Sequence, residues 1–253
     1  MRIVIIGAAG RMGRAIREAM QEWPDTVLAG AVDREASAAA GITTNLEALL
    51  PGADVVIDFS SPQSTAANLA ACARHGTAVL VGTTGLGPEA LAAAAAASAR
   101  VPVIVAANTS LGVTLLVDLV RAAARALPAD FDIEIIEGHH RHKKDSPSGT
   151  ALALGRAAAA GRGQDLETAM AAERRGESPR RSGEIGFAVV RGGDIVGDHT
   201  VLFAGSGERV SVSHQATDRS IFARGALRAA SWLVGRAPGR YEMVDVIGLK
   251  TIS

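Results

Sequence analysis

The chain has 253 residues, 48% of them hydrophobic, enough for one large domain or two moderate ones around a sizeable core. Its 26 Lys and Arg balance 26 Asp and Glu and only 3% of residues are aromatic, which argues against a global electrostatic pull on nucleic acid. The lone Cys72 excludes an internal disulfide and fits a reducing compartment, no run approaches the ~18 apolar residues of a membrane span, and the apolar run at 3–6 is too short for the core of an export signal.

The first 107 residues alternate short apolar runs with helical patterns. Strands are predicted at 2–6, 27–32, 55–59, 78–81 and 103–106. Helices are predicted at 11–22, stopped before Pro24, and at 62–74 and 88–99. The last two carry a proline in the first turn, where a missing N–H does no harm. The alanine run at 92–97 is a helix former, since alanine loses no side-chain entropy there. Continuously apolar strands between helices predict a parallel sheet covered on both faces.

Beyond Ser110 the pattern changes. A long helix is predicted at 111–126, a half-exposed strand over F-D-I-E-I-I-E at 131–137, and a helix at 149–160. Residues 162–182 are polar and rich in arginine and glutamate, and predict a mobile loop holding at most one helical turn. Three β runs follow at 185–191, 200–204 and 210–214, with Gly192-Gly193-Asp194 and Gly205-Ser206-Gly207 as turns, and are expected to be antiparallel. The helix predicted at 222–234 returns its apolar face to the first region. The fold class expected is α/β: a Rossmann-like doubly wound parallel sheet from residues 1–109 and 219–253, plus a second α+β domain, 110–218, with a mixed or antiparallel sheet.

The first strand runs into Gly7-Ala8-Ala9-Gly10-Arg11-Met12-Gly13 and then a helix. Glycines allow a tight turn and close approach of backbone to a pyrophosphate, and a helix N-terminus favours negative charge. The second strand ends at Asp33, placed to hydrogen-bond an adenosine ribose, and Arg34 beside it suits a 2′-phosphate, so NADH and NADPH are both admitted. The bland alternative is a capping aspartate and a solvated arginine. Gly82-Thr83-Thr84 and Ala106-Ala107-Asn108-Thr109 end the fourth and fifth strands, on the edge where parallel sheets bind ligands, and are candidates to hold the nicotinamide. They also read as ordinary strand-to-helix loops with Ser110 as a helix cap.

Residues 137–150, E-G-H-H-R-H-K-K-D-S-P-S-G-T, hold three of the six histidines and Lys143 and Lys144, while lysine occurs elsewhere only at Lys250. Histidine and lysine exchange protons near neutral pH when their surroundings tune them; arginine does not. His139 and Lys143 are the candidate proton donors and acceptors. Ser148-Gly149-Thr150 opens a helix and offers N–H groups and a hydroxyl to a carboxylate, which points to a small anionic substrate. Competing readings are a solvated basic loop, a metal site from His139, His140 and His142, and a nucleic-acid patch. Adjacent histidines of an extended segment face opposite sides and no cysteine is near, so no metal is expected.

These residues resemble the 4-hydroxy-tetrahydrodipicolinate reductase (dihydrodipicolinate reductase) family. The likeness runs through G-A-A-G-R-M-G-R at 7–14, V-D-R at 32–34, D-F-S at 58–60, G-T-T-G at 82–85, the histidine segment at 137–152, V-R-G-G-D-I-V-G-D-H-T at 190–200 and F-A-R-G-A-L-R-A-A-S-W-L at 222–233. The histidine segment is specific to the family; the glycine loop alone is not. The resemblance implies NAD(P)H-dependent reduction of 4-hydroxy-tetrahydrodipicolinate to tetrahydrodipicolinate in diaminopimelate and lysine synthesis. It implies His139 as proton donor or acceptor, Lys143 as proton donor, and His140, Gly149 and Thr150 as ligands of the substrate carboxylates. Residues Gly7 to Met12, Asp33, Arg34, Gly82 to Thr84 and Ala106 to Thr109 would bind the coenzyme, NADH or NADPH. It further implies a cytoplasmic homotetramer joined through the second domain; the charge balance and the lack of a long apolar run lead us to expect no nucleic-acid or membrane partner. Thr109 stands where many members carry Phe or Met, and Ser61 where some carry Arg. A short-chain dehydrogenase is set aside because position 245, four beyond the single Tyr241, is Asp rather than Lys. A non-catalytic NAD(P)-sensing regulatory module remains as the alternative; it would have no use for His139 with Lys143.

Overall fold

The computed structural model describes residues 1–171, 174 and 176–249. In chain order, β1 (Arg2–Ile6), α1 (Arg11–Ala19), β2 (Val27–Val32), β3 (Ile42–Thr43), β4 (Val55–Asp58), α2 (Pro62–His75), β5 (Ala78–Val81), α3 (Pro88–Ser98) and β6 (Pro102–Val105) come first. Then follow α4 (Leu111–Ala126), β7 (Asp132–His139), α5 (Gly149–Gly161), α6 (Leu166–Ala169), β8 (Ile185–Arg191), β9 (Gly197–Ala204) and β10 (Arg209–Ala216). The chain closes with α7 (Ser220–Leu233), β11 (Gly239–Tyr241) and α8 (Met243–Val246). They form two compact units: Met1–Leu111 with Ser220–Leu249, and Gly112–Arg219.

The first unit holds a seven-stranded sheet in the order β11-β6-β5-β4-β1-β2-β3, every pair parallel. Successive side chains of a strand point to opposite faces, so each apolar strand feeds two cores. Ile3, Ile5, Ile57, Leu80 and Ile104 pack with Ile16 of α1 and Ala226, Leu227 and Leu233 of α7. Val4, Ile6, Val56, Val79 and Val103 pack on the other side with Leu69 and Cys72 of α2 and Ala94 and Ala97 of α3. Strand order turns back at β1, with β2 on one side and β4 on the other, and the loops after β1 and β4 therefore share the ligand-binding edge. The helix expected over 11–22 is α-helical to Ala19 and tightens into a 3-10 turn at Met20–Glu22 before Pro24.

The second unit holds a four-stranded sheet in the order β10-β9-β7-β8. The expectation of antiparallel strands needs correction: β9 pairs antiparallel with β7 and β10, but β8 runs parallel to β7. Gly192-Gly193-Asp194 accordingly does not close a hairpin, because β7 lies between β8 and β9. One face of the sheet packs Ile133, Ile135, Ile185, Val201 and Phe203 against Leu116 and Val120 of α4 and Ala151, Leu154 and Ala158 of α5. A Cβ on Gly155 of α5 would lie 2.7 Å from the Phe187 ring, so this helix meets the sheet closely. The loop expected over 162–182 contains α6, and Arg174 and Arg180 ion-pair with Glu134 of β7; residues 172, 173 and 175 lie outside the described residues.

Candidate active site

The glycine loop is folded from its own backbone. Gly7 takes φ +79°, and a Cβ there would stand 2.3 Å from the Phe59 carbonyl oxygen. A Cβ on Gly13 would stand 2.3 Å from the Gly7 carbonyl oxygen and 2.5 Å from Ala8 Cα. The Gly7 and Ala8 N–H groups donate to the Val32 carbonyl at 2.9 and 3.1 Å, fastening the loop to the end of β2. Gly10 precedes α1 with no side chain to cap it, so the first-turn N–H groups of α1 are left without a side-chain acceptor from that position. Asp33 ties in as well: Oδ2 accepts from the Ala9 N–H at 2.8 Å and Oδ1 from the Arg34 N–H at 2.7 Å. Arg34 is exposed.

Beside the loop, within the first unit, lies a cavity of about 470 Å³. Of the residues expected to hold the coenzyme, Gly10, Arg11, Met12, Gly82, Thr83, Thr84, Ala107, Asn108 and Thr109 line it. Gly7, Ala8, Ala9, Asp33, Arg34 and Ala106 do not: they shape or flank the loops. Phe59, Ser60, Pro62 and Phe222 line it too and were given no role from sequence. Phe59 supports the floor, since a Cβ on Gly82 would meet its ring at 2.2 Å. Beneath it the fully buried Asp58 accepts from the Ser60 N–H and hydroxyl and from Asn68 Nδ2, while its carbonyl accepts from the Gly82 N–H at 2.8 Å. Burial raises the Asp58 pKa against those hydrogen bonds. Thr109, the departure from the family pattern, is held by its hydroxyl donating to the Phe222 carbonyl at 2.7 Å and by Gly225, whose Cβ would overlap the Thr109 carbonyl oxygen at 1.8 Å. A backbone cradle that any Cβ would fill, an uncapped helix start and an adjoining cavity together fit a dinucleotide.

The second unit carries the histidine segment. His139 ends β7, 8% exposed, and its Nδ1 lies 2.6 Å from Glu137 Oε2. Glu137 and His139 are two apart on a strand and share a face. In register, His139 stands opposite Arg191 of β8, and Glu137 opposite His199 of β9. The Arg191 guanidinium forks onto both Glu137 oxygens at 2.8 Å, and Glu137 Oε1 also accepts from the Ser148 N–H at 2.9 Å. Burial alone would raise the Glu137 pKa, but Arg191, His139 and the Ser148 N–H outweigh it and hold it down at about 2. Ser148 caps α5, its Oγ accepting from the Ala151 N–H at 3.1 Å and lying 3.1 Å from His199 Nε2. Burial, with His139 beside it, lowers the His199 pKa to about 4, so this ring is neutral at pH 7. Gly149, exposed, and Thr150 begin the helix as expected.

Lys143, its side chain 20% exposed, pairs with Asp145 Oδ2 at 2.9 Å, and its N–H donates to the His140 carbonyl. His140 Nε2 lies 3.1 Å from Arg219 Nη2. Desolvation and the Arg219 charge lower the His140 pKa. No group of three or more His, Cys, Asp or Glu among the described residues is arranged to hold a metal. Glu137, Arg191 and His199 were not given roles from sequence. Glu137 had a usable signal in the E-x-H spacing of a strand; Arg191 had none, because its partner is 54 residues away.

Comparison with known proteins follows this division. The family model described as "Dihydrodipicolinate reductase, N-terminus" matches residues 1–109, and the one described as "Dihydrodipicolinate reductase, C-terminus" matches residues 112–247. The chain belongs to the dihydrodipicolinate reductase family. It is 50% identical to the 4-hydroxy-tetrahydrodipicolinate reductase of Thiobacillus denitrificans over 99% of each chain. It is also 50% identical to that of Alkalilimnicola ehrlichii, over 98% of this chain and 99% of that one. Among solved structures it resembles a dipicolinate-bound dihydrodipicolinate reductase from Paenisporosarcina, with a TM-score of 0.81 at 23% identity over 98% and 99% of the two chains. A gentamicin A biosynthesis protein solved in complex with NAD shares the fold at a TM-score of 0.60 and 16% identity, over 98% and 90%. As a member of this family the chain is an NAD(P)H-dependent oxidoreductase of the reduction step in diaminopimelate and lysine synthesis. Nothing in these comparisons favours the nucleotide-sensing alternative.

Proposed function

We propose that the chain reduces 4-hydroxy-tetrahydrodipicolinate with its two units in separate roles: residues 1–109 and 219–253 bind the dinucleotide, and residues 110–218 bind the substrate and carry the oligomer contacts. The glycine loop from Gly7 to Met12, with Asp33, Arg34, Gly82 to Thr84 and Ala106 to Thr109, would hold the coenzyme, which when bound supplies the hydride. The uncapped start of α1 favours its phosphates electrostatically. Asp33 suits the ribose hydroxyls and the exposed Arg34 a 2′-phosphate, so both NADH and NADPH serve.

On the substrate side, His140 and the α5 start at Gly149 and Thr150 bind the carboxylates. Loss of the 4-hydroxyl as water leaves a conjugated imine ready for reduction. His139 exchanges the proton, and the Lys143 ammonium donates one and offsets charge developing at the imine. Lys143 must trade Asp145 for the substrate as it does so. The observation that carries this reading is the buried His139 held by Glu137, on the same carboxylate as the cap of the helix assigned to the substrate.

A homotetramer is proposed from the family likeness, supported by Ile136 and Val190, 40% and 51% exposed on the sheet face opposite the α5 core. A cytoplasmic setting is proposed with it; no helix among the described residues is long and apolar enough to cross a membrane. Light scattering after size exclusion tests the tetramer. The activity is tested by following reduced-coenzyme absorbance with substrate generated by the upstream synthase. Oxidation of both coenzymes is expected. A preference above ~10³-fold, about 4 kcal/mol, would overturn the reading of Asp33 and Arg34.

A further inference from the structure

We infer that Glu137 is a positioning residue for this reaction: held by the Arg191 fork and the Ser148 N–H, its carboxylate fixes His139 with the proton on Nδ1 and leaves Nε2 to face the substrate. The inference rests on the proposed role of His139 in proton exchange.

Glu137 is 1% exposed. Oε1 accepts from Arg191 Nη2 and the Ser148 N–H; Oε2 accepts from Arg191 Nη1 and faces His139 Nδ1 at 2.6 Å. An ionised carboxylate accepts and never donates, so the bond at 2.6 Å requires the hydrogen on His139 Nδ1. In the neutral ring this leaves the lone pair on Nε2. The residue beside Nε2 is Gly197, where a Cβ would approach that nitrogen to 3.2 Å, so any larger residue would crowd the atom left for the substrate.

The same carboxylate organises more than the imidazole. Its bond to the Ser148 N–H sets the residue that caps α5, the helix whose first turn is assigned to the substrate carboxylates. Arg191 Nη2 also donates to the Asp145 carbonyl at 2.8 Å, and Asp145 holds Lys143. The pair of buried Glu137 and half-buried Arg191 thus sets the imidazole, the helix start and the lysine loop together. Partners beyond the reacting group fix histidine tautomers in this way at metal and catalytic sites.

A pair that merely stapled β7 to β8 would make a different prediction. In Glu137→Gln one oxygen becomes an NH2. Arg191 donates to both positions and so selects neither, but the Ser148 N–H is a second fixed donor at Oε1 and keeps the remaining oxygen there, whereas the imidazole can exchange tautomers. The amide NH2 then faces Nδ1 and drives the hydrogen to Nε2. With histidine labelled in nitrogen-15, the wild type is expected to carry the His139 hydrogen on Nδ1 and Glu137→Gln on Nε2. Turnover at saturating substrate should fall by about 10²- to 10⁴-fold, with the NADH dissociation constant unchanged. A wild-type His139 hydrogen on Nε2 would overturn the inference even if the variant failed to fold. So would a folded Glu137→Gln with wild-type turnover. His139→Gln, assayed alongside, separates the two levels: undiminished turnover there removes the role of His139 itself, whatever its tautomer.

Discussion

Gly13→Ala sets two sizeable effects against each other. Alanine is favoured over glycine inside a helix by up to about 1 kcal/mol, so propensity alone predicts a stabilised α1. The added methyl, however, would lie 2.3 Å from the Gly7 carbonyl oxygen and 2.5 Å from Ala8 Cα. Both are backbone atoms and cannot rotate away. Ordinary contact needs a retreat of roughly an ångström by the loop, and overpacking of this kind costs about 1–3 kcal/mol. At the middle of that range, about 2 kcal/mol, the collision wins, and a net loss of about 1 kcal/mol lowers Tm by roughly 2–4 °C for a chain of this size. The loop that must move is the proposed coenzyme cradle, where a shift of about 1 Å is worth up to ~10²-fold. Calorimetry and an NADH titration read the two consequences separately: a lower Tm and a dissociation constant raised by about 10- to 100-fold. A Gly13→Ala protein with unchanged Tm and unchanged NADH affinity would refute the close-packing argument.

Glu137 has a folded pKa of about 2 against an ordinary 4.5, so its contribution to stability is fully present above pH 4.5 and is lost as pH falls towards 2. The stability gap between wild type and Glu137→Gln should therefore narrow across that window; a gap independent of pH would contradict the assignment. Ser148→Ala removes the α5 cap and should cost about 1 kcal/mol, roughly 2–4 °C in a melting experiment, and an unchanged melt would show that the cap contributes nothing. Asp33→Ala removes the acceptor of the Ala9 N–H and the proposed ribose ligand. Its KM for NADH should rise by about tenfold, worth 1.4 kcal/mol, and by less for NADPH, since Arg34 remains; an equal rise for both coenzymes would remove Asp33 from discrimination.

The parallel sheet was legible because its strands are short, apolar and separated by helical periods, and because Gly7, Gly10 and Gly13 follow the first strand where the loop must turn tightly and pack closely on the helix after it. β3 and β11 were not, since two or three residues are too few for any period to show. The parallel pairing of β8 is hidden from sequence for a physical reason: Gly192-Gly193 has the chemistry of a hairpin turn, but β7 takes the position beside β8, and a pairing across some fifty residues leaves no local trace. The site divides in the same way. His139, Lys143 and the α5 start are contiguous in sequence and were legible as a proton-handling, anion-binding segment. Arg191, His199 and Phe222 reach their sites only through tertiary structure, and Thr109 is explained by Phe222 and Gly225, more than a hundred residues on.

In the proposed reaction His139 and Lys143 carry out proton exchange on the dicarboxylate while other residues hold the coenzyme. Steady-state turnover of His139→Gln and Lys143→Met at saturating substrate and NADH addresses it directly, with the NADH dissociation constant measured on the same preparations. Turnover should fall by about 10²-fold or more in each, with coenzyme affinity unaltered. Wild-type turnover in either variant would contradict the account.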